Sequence, residues 1–202
     1  MFVQVVQART SNPEALRAAF DRWMQDLAPG ATGWLGTTAG VTEDGRAVAV
    51  IRFESQEAAH HNSERPEQEQ WWTETEKLFD GGATVRTSTD VNVDVHGNPD
   101  QAGFVQIMQG RSTDPDRAKQ LMAQDSDRWA AFRPDVIGTV GVSHDGGAYT
   151  MVMYFTSEAD ARAGERKQVP PELQAAMEEM NKLSVGETEF FDLRQPVIRS
   201  PK

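Results

Sequence analysis

The stretch that decides the fold is Phe2-Val3-Gln4-Val5-Val6-Gln7-Ala8-Arg9, because it returns as Phe104-Val105-Gln106-Ile107-Met108-Gln109-Gly110-Arg111. Over positions 2–13 and 104–115, six of twelve residues are identical. The match resumes further along, where Asp44-Gly45 aligns with Asp145-Gly146. A similarity that keeps its register through both halves indicates an internal duplication. We therefore expect two repeats of one structural unit.

A short polar stretch rich in Gly, Asn and Pro separates the two copies. Such a composition is typical of a linker. We predict repeat 1 over residues 1–96, the linker over 97–103 and repeat 2 over 104–198.

Each copy shows the same order of elements. In repeat 1 an apolar strand over 2–9 is followed by Asn12-Pro13, which is typical of a helix start, and by a helical stripe that ends at Pro29-Gly30. Asp44-Gly45 between two strand-like runs predicts a hairpin, and a second helical region leads to a closing strand over 83–95. The order β-α-β-β-α-β, read twice, predicts an α+β, tandem ferredoxin-like fold. Because helices cover only one face of such a sheet, we expect the two remaining faces to close an intramolecular barrel.

Composition excludes several classes of function. The 202 residues carry 20 Lys+Arg against 31 Asp+Glu, a net charge of −11, and no cysteine. An acidic chain lacks the basic face that nucleic acids and anionic membranes require, so neither is an expected partner. Without cysteine there are no disulfides and no cysteine-ligated metals. No apolar run approaches the roughly 18–20 residues of a membrane span and no secretory signal is visible, so we expect a cytoplasmic protein.

The order of elements, the hairpin Asp-Gly and the stretch Arg52-Phe53-Glu54-Ser55-Gln56-Glu57-Ala58-Ala59 resemble the dimeric α+β barrel superfamily. Within it the chain is most similar to antibiotic biosynthesis monooxygenase-type proteins, and as a whole to tandem-duplicated actinobacterial members of unassigned activity. The resemblance implies a pocket between sheet and helices in each copy. In catalytic members that pocket binds small aromatic or polycyclic molecules, or haem.

Two functions follow as hypotheses from this resemblance. One is a cofactor-independent monooxygenase that acts on an aromatic or polyketide-like substrate. The alternative is a non-catalytic ligand-binding or stress-related interaction protein with the same barrel. In both, the expected partner is a small hydrophobic or aromatic ligand, and the pseudo-dimeric chains could associate further into a homo-oligomer.

The aromatic residues suggest where a ligand would bind. Four of the five tryptophans lie in repeat 1. Aromatic side chains on helical stripes are most often core, but an aromatic wall with a few polar groups is typical of a small-molecule site. Glutamines recur in the first strand of each copy and either line a cavity or tie backbone together. The asymmetry predicts a single site in residues 1–96, with candidate binding residues Trp23, Trp34, Trp71, Trp72, Gln4 and Gln7.

Three residues are candidates for catalysis. Asn62, with the tryptophan pair that follows it, is similar to the Asn and Trp that position substrate in cofactor-free quinol-type monooxygenases of this family. Asp125 falls on the predicted inward stripe of the first helix of repeat 2 and is a candidate base, unless it pairs with Arg128 or Arg133. His61 is a second candidate base, unless it lies at a solvated helix surface.

Cofactor and metal sites have little support in the sequence. Haem-degrading relatives ligate iron through a helical histidine, so His60 or His61 would be the haem ligand here. No other residue pattern in the sequence indicates a haem or metal site, so we expect no cofactor. His96, in the polar stretch where the two copies meet, is expected to be solvated.

Overall fold

The structure is a computed structural model that describes residues 1–201. It divides into two compact units. Unit 1 comprises Met1–Val91 together with the segment from Gln195 onward, and unit 2 comprises Asn92–Arg194. Within residues 1–201, no helix is both long enough and apolar enough to cross a membrane.

Unit 1 is one five-stranded sheet with three helices. Its strands, in the order β10-β2-β3-β1-β4, are β1 (Phe2–Arg9), β2 (Trp34–Val41), β3 (Arg46–Phe53), β4 (Thr84–Ser88) and β10 (Val197–Arg199). Its helices are α1 (Pro13–Asp26), α2 (Gln56–Ser63) and α3 (Pro66–Glu76). As predicted, the Asn12 side chain caps α1 by accepting a hydrogen bond from the Ala15 backbone N–H.

Unit 2 repeats this arrangement. Its strands, in the order β5-β7-β8-β6-β9, are β5 (Val91–Val95), β6 (Phe104–Ser112), β7 (Val136–Ser143), β8 (Ala148–Phe155) and β9 (Ser184–Leu193). Its helices are α4 (Pro115–Gln124), α5 (Ser126–Phe132), α6 (Glu158–Glu165) and α7 (Pro171–Leu183). The central strands pair in matching registers, since Phe2 lies opposite Phe53 on β3 and Phe104 lies opposite Phe155 on β8. The predicted duplicated ferredoxin-like α+β fold is confirmed.

The edges of the sheets differ from the prediction. The single closing strand expected over 83–95 is two strands, β4 and β5, which join different sheets. The chain bends between them, where the Ser88 hydroxyl accepts a hydrogen bond from the Asp90 N–H. Residues Val197–Arg199, of which the first two were assigned to repeat 2, pair with β2 in unit 1. A short apolar strand does not show in its own sequence which sheet edge it joins, because pairing is a long-range interaction.

The predicted first helix of repeat 2 is also divided. Residues 115–132 form α4 and α5, and Asp125 lies between them with non-helical backbone angles, φ −121° and ψ 26°. The matching helix of unit 1, α1, runs without a break. At this break Asp125 becomes the residue that precedes α5, and its side chain binds Arg128 of that helix.

Candidate functional site

A cavity of about 430 Å³ lies within unit 2, between one face of its sheet and the helices α4, α5 and α7. This volume is within the range of about 300–1,000 Å³ that small-molecule pockets occupy. The lining is mostly apolar, and it includes six of the eight methionines of the chain: Met108, Met122, Met151, Met153, Met177 and Met180.

The floor of the cavity is built from neighbouring strands. Met108 on β6 lies directly opposite Met151 on β8, so their side chains are adjacent on one face of the sheet. Glycines make room beside them. A Cβ at Gly141 would lie 3.2 Å from Met151 Cε, and a Cβ at Gly110 would lie 2.7 Å from the Tyr149 hydroxyl oxygen. The side chains of β8 therefore spread over the glycines of β6 and β7, which widens the apolar floor.

The helices form the opposite wall. Leu121 and Met122 come from α4, Trp129 from α5, and Met177 and Met180 from α7. Methionine is unbranched and polarisable, so a surface built from it adapts to ligands of different outline. Trp129 adds a flat aromatic surface.

An ion pair fixes two of these helices to each other. Arg117 on α4 donates to both carboxylate oxygens of Glu179 on α7, with Nε–Oε1 at 2.6 Å and Nη2–Oε2 at 2.9 Å. The hydrogen bond from Arg117 lowers the pKa of Glu179, and the same bond raises the pKa of Arg117. Both groups are therefore charged across the physiological range, and the pair sets the spacing of the cavity wall.

Polar side chains gather at one part of the lining. The Ser126 hydroxyl donates to Asp94 Oδ2 at 2.8 Å, and His96 Nε2 lies 3.2 Å from the same oxygen. All three residues line the cavity. Lys119 and Asn181 also contribute to the lining. A mostly apolar cavity with a few polar groups can bind an aromatic molecule and orient one polar substituent.

The internal repeat explains why this space is open in unit 2. Trp34 and Val136 occupy matching positions, because each lies opposite the matching phenylalanine of β3 or β8. In unit 1, Trp34 is 5% exposed and its ring packs against Trp23 at a centroid distance of 5.2 Å. In repeat 2 the residue that matches Trp23 is Asp125. Two tryptophans that fill the interior of unit 1 are thus replaced by smaller residues in unit 2.

The tryptophans proposed as ligand contacts pack within unit 1, with Trp23 and Trp34 in its core and Trp71 against that core. The indole N–H groups of Trp23, Trp34 and Trp71 donate to Gln68 Oε1, Thr37 Oγ1 and the Ala19 carbonyl oxygen, at 2.6, 3.0 and 2.9 Å. Trp72 packs against Phe79 and Trp71 and is half-buried. None of the four lines the cavity. The aromatic asymmetry predicts a site in residues 1–96, but the cavity lies in the other unit because the large rings fill the space that they were expected to enclose.

The two glutamines proposed for binding lie on β1 of unit 1, and neither lines the cavity of unit 2. Gln4 and Gln7 are half-buried, opposite Ile51 and Val48 of β3. Their counterparts in repeat 2 bind other side chains. Gln106 donates to Asp192 Oδ1 at 2.9 Å, and Gln109 donates to Thr150 Oγ1 at 3.1 Å. The counterparts therefore tie strands together.

Asn62 is buried, and it has a structural partner. Its Oδ1 accepts a hydrogen bond from Arg65 Nη1 at 3.0 Å, and the same nitrogen donates to the Leu27 carbonyl oxygen at 3.1 Å. Arg65 thereby joins α2 to the end of α1, and Asn62 fixes that arginine. The structure does not bring Asn62 to the cavity.

The proposed bases also lie elsewhere. Asp125 Oδ1 accepts from Arg128 Nη1 at 2.8 Å, which is the alternative that the sequence left open. His61 is exposed on α2, and the neighbouring His60 pairs with Glu64 at 3.1 Å with 72% of its side chain exposed. Two exposed histidines on a surface helix do not fit the axial ligand of an enclosed haem. Among residues 1–201, no three His, Asp or Glu side chains converge as a metal site would require.

Three features of the cavity were not predicted from the sequence: the methionines, Trp129 and His96. Met108, Met151 and Met153 alternate along predicted strands, which assigns them to one face of the sheet. That signal could have been found. The position of His96 could not, because it depends on β5 joining the sheet of unit 2 rather than that of unit 1.

Comparisons with known proteins agree on the fold. No protein-family profile and no curated protein matches this sequence. Among solved structures, a candidate monooxygenase from Lactobacillus acidophilus NCFM has a TM-score of 0.74 at 10% identity, covering 98% of this chain and 99% of its own. A second candidate monooxygenase, FN1347 from Fusobacterium nucleatum, has a TM-score of 0.76 at 8% identity, covering 98% and 94%. The chain has the fold of these monooxygenase-like structures. An anthrone oxidase-like protein is also similar, with a TM-score of 0.67 at 15% identity over 98% and 93% of the two chains.

Proposed function

We propose that the cavity of unit 2 binds a flat aromatic molecule and that the protein is a cofactor-independent monooxygenase for an aromatic or polyketide-like substrate. The observation that carries the proposal is the apolar, methionine-lined cavity of about 430 Å³. Methionine sulfur makes favourable contacts with aromatic rings, and the flexible side chain fits ring systems of different size.

The shape of the lining supports a planar ligand. Sheet and helices face each other across the cavity, with Met108 and Met151 on one side and Trp129 and Met180 on the other. Burial of a tricyclic aromatic molecule between such walls is driven by the removal of its apolar surface from water. The polar part of the lining would orient a carbonyl or hydroxyl group of the ligand.

An oxygenation without a cofactor requires a substrate that forms a stabilised carbanion. Anthrones and quinols meet this requirement because the negative charge spreads over the rings and a carbonyl oxygen. The carbanion would react directly with dioxygen, and the anthrone CH₂ group with one O₂ would give a quinone carbonyl and one water. The similarity to an anthrone oxidase-like structure makes anthrone a suitable probe.

A second candidate function is ligand binding without turnover. The observation that favours it is the position of Asn62, Asp125 and His61, none of which lines the cavity. Both candidates require the same binding site, and they differ only in whether bound anthrone consumes oxygen.

The test uses a cavity-filling variant that repeat 1 itself suggests. Val136→Trp introduces the residue found at Trp34, and Thr139 occupies the position of Thr37, which accepts the indole N–H in unit 1. We expect anthraquinone, measured by isothermal titration calorimetry, to bind the wild type and to bind Val136→Trp at least tenfold more weakly. Val85→Trp, at a 51% exposed position in unit 1, is the control and should bind as the wild type does.

Oxygen uptake then separates the two candidates. With anthrone as substrate, an oxygen electrode should record uptake by the wild type above the uncatalysed rate and little uptake by Val136→Trp. Binding without uptake would support the non-catalytic function. Equal affinity of wild type and Val136→Trp, or no binding by the wild type, would contradict the proposed site or its ligand.

A further inference from the structure

We propose that His96, oriented by Asp94, is the group that accepts a proton from a ligand bound in the unit 2 cavity. The inference rests on the proposed function, because it requires that the cavity bind an aromatic molecule with an acidic C–H group. It assigns a chemical role to His96, which is expected to be solvated when only its position in the sequence is considered.

His96 has one contact at its ring and others at its backbone. His96 Nε2 lies 3.2 Å from Asp94 Oδ2. The backbone N–H groups of His96 and Gly97 both donate to the Ile137 carbonyl oxygen, at 3.1 and 2.9 Å, which anchors the residue to β7. These contacts together fix the position of His96 beside β7.

The carboxylate that contacts the ring is itself oriented. Asp94 lies on β5, and its Oδ2 accepts a hydrogen bond from the Ser126 hydroxyl at 2.8 Å. Ser126 begins α5, one of the helices that enclose the cavity. The order Ser126–Asp94–His96 places the carboxylate in the centre, so the serine positions the aspartate and is not a nucleophile activated by the histidine.

This arrangement favours one tautomer of the ring. A carboxylate beside Nε2 favours the tautomer that carries the proton on Nε2, which leaves the lone pair on Nδ1. Nδ1 is then the basic atom. The His96 side chain is 32% exposed and also lines the cavity, so it can exchange protons with water between turnovers.

Other charged groups along the cavity do not compete for this role. Arg133 Nε and Nη2 donate three hydrogen bonds to the carboxylate of the buried Asp135, at 3.0, 3.2 and 2.8 Å, so its guanidinium already has a partner. Lys119, from α4, is the other cation in the lining, and Asp94 supplies the carboxylate in the lining. Imidazole is the side chain that most often acts as a general base, and His96 is the histidine in the lining.

The step is a proton transfer that needs no oxidant. The C–H bond at the CH₂ group of anthrone breaks, the proton moves to His96 Nδ1, and the electron pair stays on the ligand as an enolate. The imidazolium then loses a proton to water. In deuterium oxide the reverse step returns a deuteron to carbon, so the reaction can be followed without oxygen.

The experiment is anaerobic hydrogen–deuterium exchange at the CH₂ group of anthrone, followed by proton NMR in deuterium oxide. We expect the wild type to accelerate exchange and His96→Ala to lose at least tenfold of that rate, with affinity measured by calorimetry unchanged within about twofold. Because the side chain is partly exposed, added imidazole should restore exchange to His96→Ala. His61→Ala, which removes an exposed histidine of unit 1, is the matched control and should exchange as the wild type does with or without imidazole.

The outcomes separate this inference from the proposed function. If the wild type does not bind anthrone, the proposed function is contradicted and this inference with it. If the wild type binds anthrone and His96→Ala exchanges at the wild-type rate, or imidazole gives no rescue beyond its effect on free anthrone, the role of His96 is overturned while the binding site stands.

Discussion

Replacing Trp34 by valine gives unit 1 the residue that repeat 2 carries at the matching position, and we expect this change to be strongly destabilising. Trp34 is 5% exposed, and its indole N–H is bonded to Thr37, which is 2% exposed. Truncation of a buried tryptophan to alanine costs about 3–5 kcal/mol. Valine retains two more carbon atoms, each of which contributes about 0.8 kcal/mol when buried. The loss of the donor to a buried hydroxyl adds about 1 kcal/mol.

These contributions predict that Trp34→Val lowers the free energy of unfolding by about 3.5 kcal/mol. The measurement is a guanidinium chloride titration followed by circular dichroism. Trp72→Val is the matched control: Trp72 is half-buried, so we expect a cost of about 1 kcal/mol. If Trp34→Val costs no more than Trp72→Val, Trp34 does not fill the interior of unit 1 and the contrast between the two units is refuted.

Two further predictions concern unit 2. A Cβ at Gly164 would collide with the guanidinium of Arg133, so Gly164→Ala should disturb the Arg133–Asp135 pair and lower the free energy of unfolding by about 2 kcal/mol. The control is Gly82→Ala, in open space, which should change the free energy of unfolding by less than about 0.5 kcal/mol. Equal effects of the two substitutions would contradict this prediction. The pKa of Asp160 is lowered from 3.8 by hydrogen bonds from the hydroxyls of Ser157 and Thr156, so the stabilisation from this carboxylate is present above pH 3.8 and is lost as the pH falls through its lowered pKa. Ser157→Ala should raise the pKa of Asp160 in an NMR titration of the side-chain carboxyl carbon, and an unchanged pKa would show that the capping hydroxyl is not the cause.

Much of the fold can be predicted from the sequence because its signals are local and occur twice. Asp44-Gly45 and Asp145-Gly146 mark the two hairpins, and Gly45 and Gly146 adopt φ of 81° and 69°, which favour glycine. Asn12-Pro13 and Asp114-Pro115 begin the first helices, and both side chains cap them. A signal that recurs at the same place in two copies is stronger than either alone.

The strands at the sheet edges could not be assigned in the same way. Val91, Val93 and Val95 alternate as a strand should, but alternation does not identify the partner strand. The partner is chosen by long-range packing. This one uncertainty also hid the candidate proton acceptor, since His96 reaches the cavity only because β5 belongs to the sheet of unit 2.

The cavity lies in the unit with fewer tryptophans, whereas the sequence predicts it in the unit with more. The number of tryptophans in repeat 1 predicts a pocket there, but a large side chain encloses a cavity only if its neighbours leave room. In unit 1 the indole of Trp34 meets Trp23 and is bonded to Thr37. In unit 2, valine and flexible methionines leave the same region open. Side-chain volumes at matched positions of the repeat, rather than the number of aromatic residues, indicate which copy has space for a ligand.

The most direct test of the central claim uses the methionines as reporters. Protein labelled with ¹³C at the methionine methyl groups should give signals from both units, with six methionines along the cavity of unit 2 and Met24 packed against the aromatic core of unit 1. On addition of anthraquinone, we predict that the signals of Met108, Met151 and Met180 shift together with those of the other cavity methionines, while the signal of Met24 stays in place. A shift of Met24 with unchanged cavity methionines would place the ligand in the tryptophan-rich unit and contradict the account.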